Sequence, residues 1–271
     1  MTEPSFNDPS TLRLAIFIAV LLICAAWEHY RPRKALTAPK TVRWFNNLTL
    51  VALNGLLIAL LLPLTAFEAA NIAQDQQMGI FHQLSLPIWA NVLLSVIALD
   101  LIIYLQHLLF HRLPWLWRLH RMHHADLDID VTTGTRFHPI EILLSMMIKI
   151  GSVFALGVSP LAIVVFEIIL NASAMFNHSN AKLPLRLDAV MRKVIVTPDM
   201  HRVHHSVIVR ETHSNFGFFL SLWDRLFRTY VAQPKLSHQR VQIGVPEIRK
   251  AREQWLDKML TQPCRYSTKR K

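Results

Sequence analysis

Long apolar runs recur along the chain, each close to the roughly 20 residues that carry a helix across the hydrocarbon core of a bilayer. Leu12–Trp27, Leu48–Ala66 and Ile88–Phe110 are three of them. A fourth, Leu143–Phe176, is about 34 residues long and is broken near its centre by Gly157-Val158-Ser159-Pro160. It is too long for one span and slightly short for two, so a tight helical hairpin is expected. Inside hydrocarbon every backbone N–H and C=O needs a partner within the protein, and a helix supplies all of them locally. The expected fold is therefore all-α: a polytopic membrane protein with about three spans, a hairpin and a cytoplasmic helical histidine-rich metal-binding domain. Residues 1–99 are read as the membrane anchor, 100–230 as the histidine-rich domain containing the hairpin 143–176, and 231–271 as a basic tail. Only 17% of the 271 residues are charged and 52% are hydrophobic, which excludes a disordered chain and an ordinary soluble surface.

Loop charge sets an expected orientation. The first loop carries Arg31, Arg33, Lys34, Lys40 and Arg43, whereas Phe67–Pro87 has Glu68 and Asp75 and neither Lys nor Arg. The first loop is then cytoplasmic and the second external. The third run returns the chain to the cytoplasm near His111, and the hairpin goes out and back. Trp27, Tyr30, Trp44, Trp89, Trp115 and Trp117 lie near the run ends, where amphipathic rings prefer to sit. Residues 1–177 balance 11 basic against 11 acidic residues, so the whole +11 comes from 178–271, with 18 basic and 7 acidic. Such a tail, with an amphipathic helix expected over Glu247–Leu260, suits anionic lipid or an acidic electron donor better than nucleic acid. Cys24 and Cys264 form no CxxC pair, which excludes a disulfide scaffold and a zinc ribbon. Cys24 is read as a small hydrophobe in a retained anchor, not as the end of a cleaved signal.

Eight of the 14 histidines fall within 107–124 and 201–205. Asp100, Tyr104, His107 and His111 follow steps of four, three and four, one stripe of a helix. Asp100 and Tyr104 are counted with the catalytic machinery, Asp100 as an acceptor for a deeper ring or a bound water. His120-Arg121-Met122-His123-His124 and His201-Arg202-Val203-His204-His205 repeat one HxxHH pattern, with three imidazoles on nearly one helix face. His138 stands where the hairpin leaves the cytoplasm and His178 where it returns. His29, His82 and His238 are read as packing or surface residues. His213 is left open as ligand, supporting residue or surface residue, and Asp188 and Asp199 are read as solvated or capping.

Eight to ten imidazoles exceed what one metal uses, so two ions with four or five ligands each are the economical solution. Spacing alone does not choose among iron, zinc, copper and nickel. HExxH is absent, because Arg121 and Arg202 stand where its glutamate would be. Oxygen activation against an apolar substrate is the function that most needs two redox metals at a membrane. A dizinc membrane hydrolase and a histidine-rich metal transporter or sensor are the alternatives. A transporter needs polar residues through several spans, and only Lys149 and Glu167 are charged within the hairpin.

From Asp100 to Tyr230 the residues resemble the fatty acid hydroxylase superfamily, also called the sterol desaturase family. Asp100-x-x-x-Tyr104-x-x-His107-x-x-x-His111 resembles its first histidine box, and Trp117-Arg118-Leu119-His120-Arg121-Met122-His123-His124 the second. Arg136-x-His138-Pro139-x-Glu141, Asn177-His178 and Thr197-Pro198-Asp199-Met200-His201-Arg202-Val203-His204-His205 follow in family order. His213-Ser214-Asn215-Phe216-Gly217 and Leu222-Trp223-Asp224-Arg225-Leu226-Phe227 resemble the closing signature. The resemblance implies a membrane-bound non-haem diiron monooxygenase acting on a lipid C–H bond, by hydroxylation or desaturation. Two iron ions would be held by His107, His111, His120, His123, His124, His138, His178, His201, His204 and His205, with O2 as cosubstrate. Electrons would come from an external ferredoxin- or cytochrome b5-type protein or a reductase, since no dinucleotide fingerprint or haem-attachment motif is present.

Overall fold

The apolar runs are helical throughout the computed structural model, which describes residues 9–84 and 86–266. The first span is α1, Pro9–Tyr30, followed by α2, Lys40–Leu61. The chain then forms α3, Ala66–Asp75, α4, Ile80–Gln83, and the long α5, Ile88–Arg112. α6, Pro114–His124, precedes a 3-10 turn, Val131–Thr135. The hairpin arms are α7, Pro139–Leu156, and α8, Pro160–His178. Short helices follow: α9, Leu185–Met191, α10, Pro198–His204, α11, Val209–Thr212, and α12, Leu222–Leu226. A 3-10 turn, Ala251–Gln254, and α13, Leu256–Arg265, end the described chain. Among the described residues no strand forms, and five helical stretches are long and apolar enough to cross a membrane. At 1.5 Å per residue the 18 and 19 residues of α7 and α8 span about 27–28 Å, just under a bilayer core of about 30 Å.

The second apolar run ends earlier than its composition suggests. Leu62 precedes Pro63, whose ring disfavours helical backbone at the residue before it, and Leu62 is extended at φ −98°, ψ 130°. Thr65 then starts α3 through a reciprocal capping box: its N–H donates to the Glu68 carboxylate at 2.6 Å, and its hydroxyl accepts from the Glu68 N–H at 3.2 Å. The segment read as an external loop is therefore largely helix. Ala66, Ala69, Ala70 and Ala73 are buried, and the first three join Val96, Leu99, Ile103, Val153, Ile163 and Phe166 in the main apolar core. The hairpin turn meets this segment backbone to backbone. Gly79 and Gly157 have φ of +90° and +72°, and a Cβ on Gly79 would lie 2.1 Å from the Gly157 nitrogen. No side chain fits there.

Buried charge ties the anchor to the histidine-rich part. Arg43 of α2 donates to Asp126 at 2.6 Å and Asp130 at 2.5 Å, all three side chains being fully buried. Asp128 accepts from the backbone N–H groups of Thr37 and Ala38 at 2.6 and 2.7 Å. The tail also packs inward: Met259 meets Leu50 and Met122, and Gln254 donates to the Ala125 carbonyl at 2.9 Å. Extended Trp255 separates the 3-10 turn from α13, so Glu247–Leu260 is not one continuous amphipathic helix.

Candidate metal centre

α5 carries His107 and His111 one turn apart near its C-terminus, and α6 carries His120, His123 and His124. His178 is the last residue of α8; His201 and His204 lie in α10, with His205 at its C-cap. Pro114, Pro139, Pro160 and Pro198 each occupy a first-turn position, where the missing N–H costs nothing. The nine imidazoles, all buried, gather into two groups whose ring nitrogens lie within 4.8 Å of one another: His107, His111, His120, His124 and His204; and His123, His178, His201 and His205. Both HxxHH motifs contribute to both groups, because adjacent helical residues diverge by about 100° while i and i+4 nearly align. Stacked rings of His124 and His205, 4.4 Å between centroids, set the groups side by side.

The tautomers follow from the partners. The Nδ1–H of His107 donates to the Phe216 carbonyl at 2.8 Å, that of His204 to Ser214 at 2.6 Å, that of His178 to Ala174 at 2.6 Å and that of His123 to Arg136 at 3.2 Å. The His120 Nδ1 faces Glu141 Oε1, 2.6 Å away. A carbonyl can only accept, so the Nδ1 atoms of His107, His204, His178 and His123 carry the proton and each of these four neutral rings presents a bare lone pair at Nε2. Yet His107 and His204 bring their Nε2 atoms to 3.1 Å, as do His123 and His178. Nε2 of His178 also lies 3.0 and 3.1 Å from those of His201 and His205, three neighbours around one lone pair. Both nitrogens of His111 and His124 are buried without a hydrogen-bond partner.

Protonation does not resolve these contacts. Burial pushes His120 down to about 3 and His123, His124, His201, His204 and His205 well below the ordinary histidine range, and neighbouring rings depress the last five further. A cation among the lone pairs does resolve them. Ring nitrogens that share one cation at about 2.1 Å each must lie within about 4.2 Å of one another, and the 3.0–3.1 Å contacts meet that bound. The donor set thus fits two metal ions, with carbonyls and a carboxylate fixing the rings from behind.

Other expected residues lie elsewhere. His138 caps α7: its Nδ1 accepts from the Ile140 N–H at 3.2 Å and its Nε2 faces the Leu260 carbonyl at 3.1 Å. Both nitrogens are engaged away from the two groups, which departs from its expected place among the ligands. Asp100 reaches no imidazole. Its carboxylate accepts from the N–H of Phe219 and Leu220 at 3.3 and 3.1 Å and from Trp223 Nε1 at 2.9 Å, clamping the closing segment to α5. The Tyr104 hydroxyl meets Thr229 Oγ1 at 2.8 Å, and Thr229 donates to Asp224 at 2.7 Å. Tyr104 must then be the donor. Asp199 and Asp188 are buried in ion pairs with Arg33 and Arg202, and with Arg192. His213 stacks edge-on to His111 but belongs to neither group.

The supporting carbonyls are not legible in the sequence. Asp224 accepts from the N–H of Phe216 and Gly217 at 2.8 and 2.9 Å, and Asn215 adopts φ +52° between Ser214 and Phe216. Asn tolerates that left-handed turn, which aims both flanking carbonyls at ligand rings. The only signal was the closing motif itself, which names residues but not the direction of their backbone.

A cavity of about 630 Å³ lies between α1, α2, α5, α7 and α8 and ends at His107 and His120, with Phe17, Phe110, Phe137, Met175 and Phe218 on its walls. On another side a depression of about 440 Å³ reaches His111 between Arg112, Trp117, Arg210 and His213.

The fatty acid hydroxylase family matches the chain over residues 92–229. The chain is 27% identical to an ornithine lipid hydroxylase of Rhizobium tropici, over 82% of the chain and 68% of that protein. It is 28% identical to alkylglycerol monooxygenase of Xenopus tropicalis over 52% of the chain and 30% of that protein. It is 26% identical to cholesterol 25-hydroxylase of Rattus norvegicus over 54% of the chain and 48% of that protein. No solved structure matches.

Proposed function

The chain belongs to the fatty acid hydroxylase family, and from that premise we propose that it is an integral-membrane oxidoreductase that hydroxylates a C–H bond of a lipid with O2 and external electrons. The observation that carries this reading is the set of opposed imidazole lone pairs at the end of an apolar cavity. We assign one ion to His107, His111, His120, His124 and His204, and the other to His123, His178, His201 and His205. Iron bound there would supply the activation of O2 and the oxidation of the C–H bond.

The protein's own part is positional. Phe110, Phe137 and Phe218 keep the approach to His107 and His120 apolar, so an alkyl portion of the substrate enters at little desolvation cost. Glu141 fixes the orientation of the His120 ring, and the 214–217 turn fixes the tautomers of His107 and His204. Arg112 and Arg210 beside His111 suit an acidic electron-donor protein on the face away from the substrate. The basic loop 31–43 and tail support a cytoplasmic position for that face.

Metal analysis of the purified full chain tests the assignment, with about two irons per chain expected. Product formation from lipid extracts should require O2. Turnover without O2, or activity in metal-free protein, would overturn it.

A further inference from the structure

The cavity is apolar near the rings but charged at its other end. Lys149 of α7 donates to the Glu167 carboxylate of α8 at 2.9 Å, and Arg13 of α1 pairs with the other oxygen of the same carboxylate. All three line the cavity. Glu167 lies 11 residues before His178 on α8, roughly 16 Å along the axis. Two cations thus share one carboxylate near the middle of the hairpin, where an ionisable group is costly and is retained for a purpose. The cavity's other carboxylate, Glu141, faces His120 at the metal end and leaves the cations unanswered.

Two acceptors lie toward the ring end of the same cavity. Asn54 is 7% exposed; its Nδ2 donates to the Phe137 carbonyl at 2.9 Å, which fixes the amide and leaves Oδ1 buried without a partner. Glu141, 4% exposed, has Oε2 buried without a partner. Both residues line the cavity, and an acceptor buried without a donor calls for one from a ligand. A plain alkane answers neither the cations nor the acceptors, and the single hydroxyl of a sterol can answer an acceptor but not the cations.

We propose that Arg13 and Lys149 form a subsite for the anionic headgroup of an acyl lipid, a carboxylate or a phosphate. The subsite deepens the lipid-hydroxylase reading and rests on it for the direction in which the chain is presented to His107 and His120.

Purified full-length protein, metal-loaded in detergent, is titrated with N-palmitoylglycine, 1-palmitoyl lysophosphatidic acid and 1-monopalmitoylglycerol, and binding is read by thermal shift. At least one anionic probe should bind tenfold or more tightly than the neutral glycerol. The tighter of the two anions tells carboxylate from phosphate. R13L and K149M should each bring the ratio to within threefold, and K149M alone decides if R13L fails to accumulate. H204A should keep the ratio while losing oxidation, so the subsite and the proposed activity fail separately. Equal affinity for all three probes, no binding at all, or selectivity that survives in R13L/K149M overturns the proposal.

Discussion

Nε2 of His107 and Nε2 of His204 face each other at 3.1 Å, although each ring has already committed its proton to a backbone carbonyl at Nδ1. Two lone pairs at that distance repel, and only a shared cation makes the contact favourable. His204→Ala should therefore cost at least a hundredfold in turnover and lower the bound metal, while membrane insertion, which depends on the apolar helices, is spared. Metal content and activity of the inserted variant check this. Full activity would remove His204 from the centre.

Acid should destabilise the metal-free protein. His120 is held near 3 in the folded state against an ordinary value of 6.5, so between those values the unfolded chain binds more protons and stability rises with pH. The penalty is absent above about pH 6.5 and grows on acidification, reaching about 2 kcal/mol for such a ring at pH 5. His123, His124, His201, His204 and His205 shift in the same direction. Thermal melts of apoprotein at pH 7.5, 6.0 and 5.0 should show a falling midpoint. A flat profile would contradict buried neutral rings.

Asp224→Asn keeps the shape of the side chain but cannot accept from Phe216, Gly217 and Thr229 as a carboxylate does. Loosening that turn frees the carbonyls behind His107 and His204. Loss of such outer partners typically weakens metal binding or activity by about 10–100-fold. The expected result is a lower metal affinity with helix content unchanged by circular dichroism.

His138→Ala separates a helix cap from a metal ligand. It removes the acceptor for the Ile140 N–H and the contact with Leu260, a loss of about 1 kcal/mol for a cap. Metal stoichiometry should stay at the wild-type value while the melting midpoint falls by a few degrees. A missing metal would return His138 to the ligand set.

Arg43→Met would strand Asp126 and Asp130 as unpaired buried carboxylates, although Arg43 touches no ligand ring. Breaking a buried pair in this way costs about 3–5 kcal/mol. Poor accumulation is expected, partly rescued by replacing both aspartates with asparagine; expression and melting of the two variants test it.

What the sequence determined by itself was what depends on local spacing. Runs near 20 apolar residues have only helix available inside a bilayer, and Gly157 with Pro160 can only break one. HxxxH and HxxHH place rings close together on a helix whatever surrounds them, so eight of the nine gathered histidines follow from spacing, and the ninth, His178, only from its place where the hairpin returns. Tertiary structure decided how those rings are shared. His123 and His124 are neighbours in sequence yet serve different groups, because His178 arrives from α8 on one side and His204 from α10 on the other. It also decided that His138 spends both nitrogens on backbone groups, that Asp100 clamps a distant turn instead of an imidazole, and that α3 buries an alanine face where an external loop was expected. Each of these depends on which backbone group or apolar face comes within reach across the fold, and spacing along one helix carries no information about that.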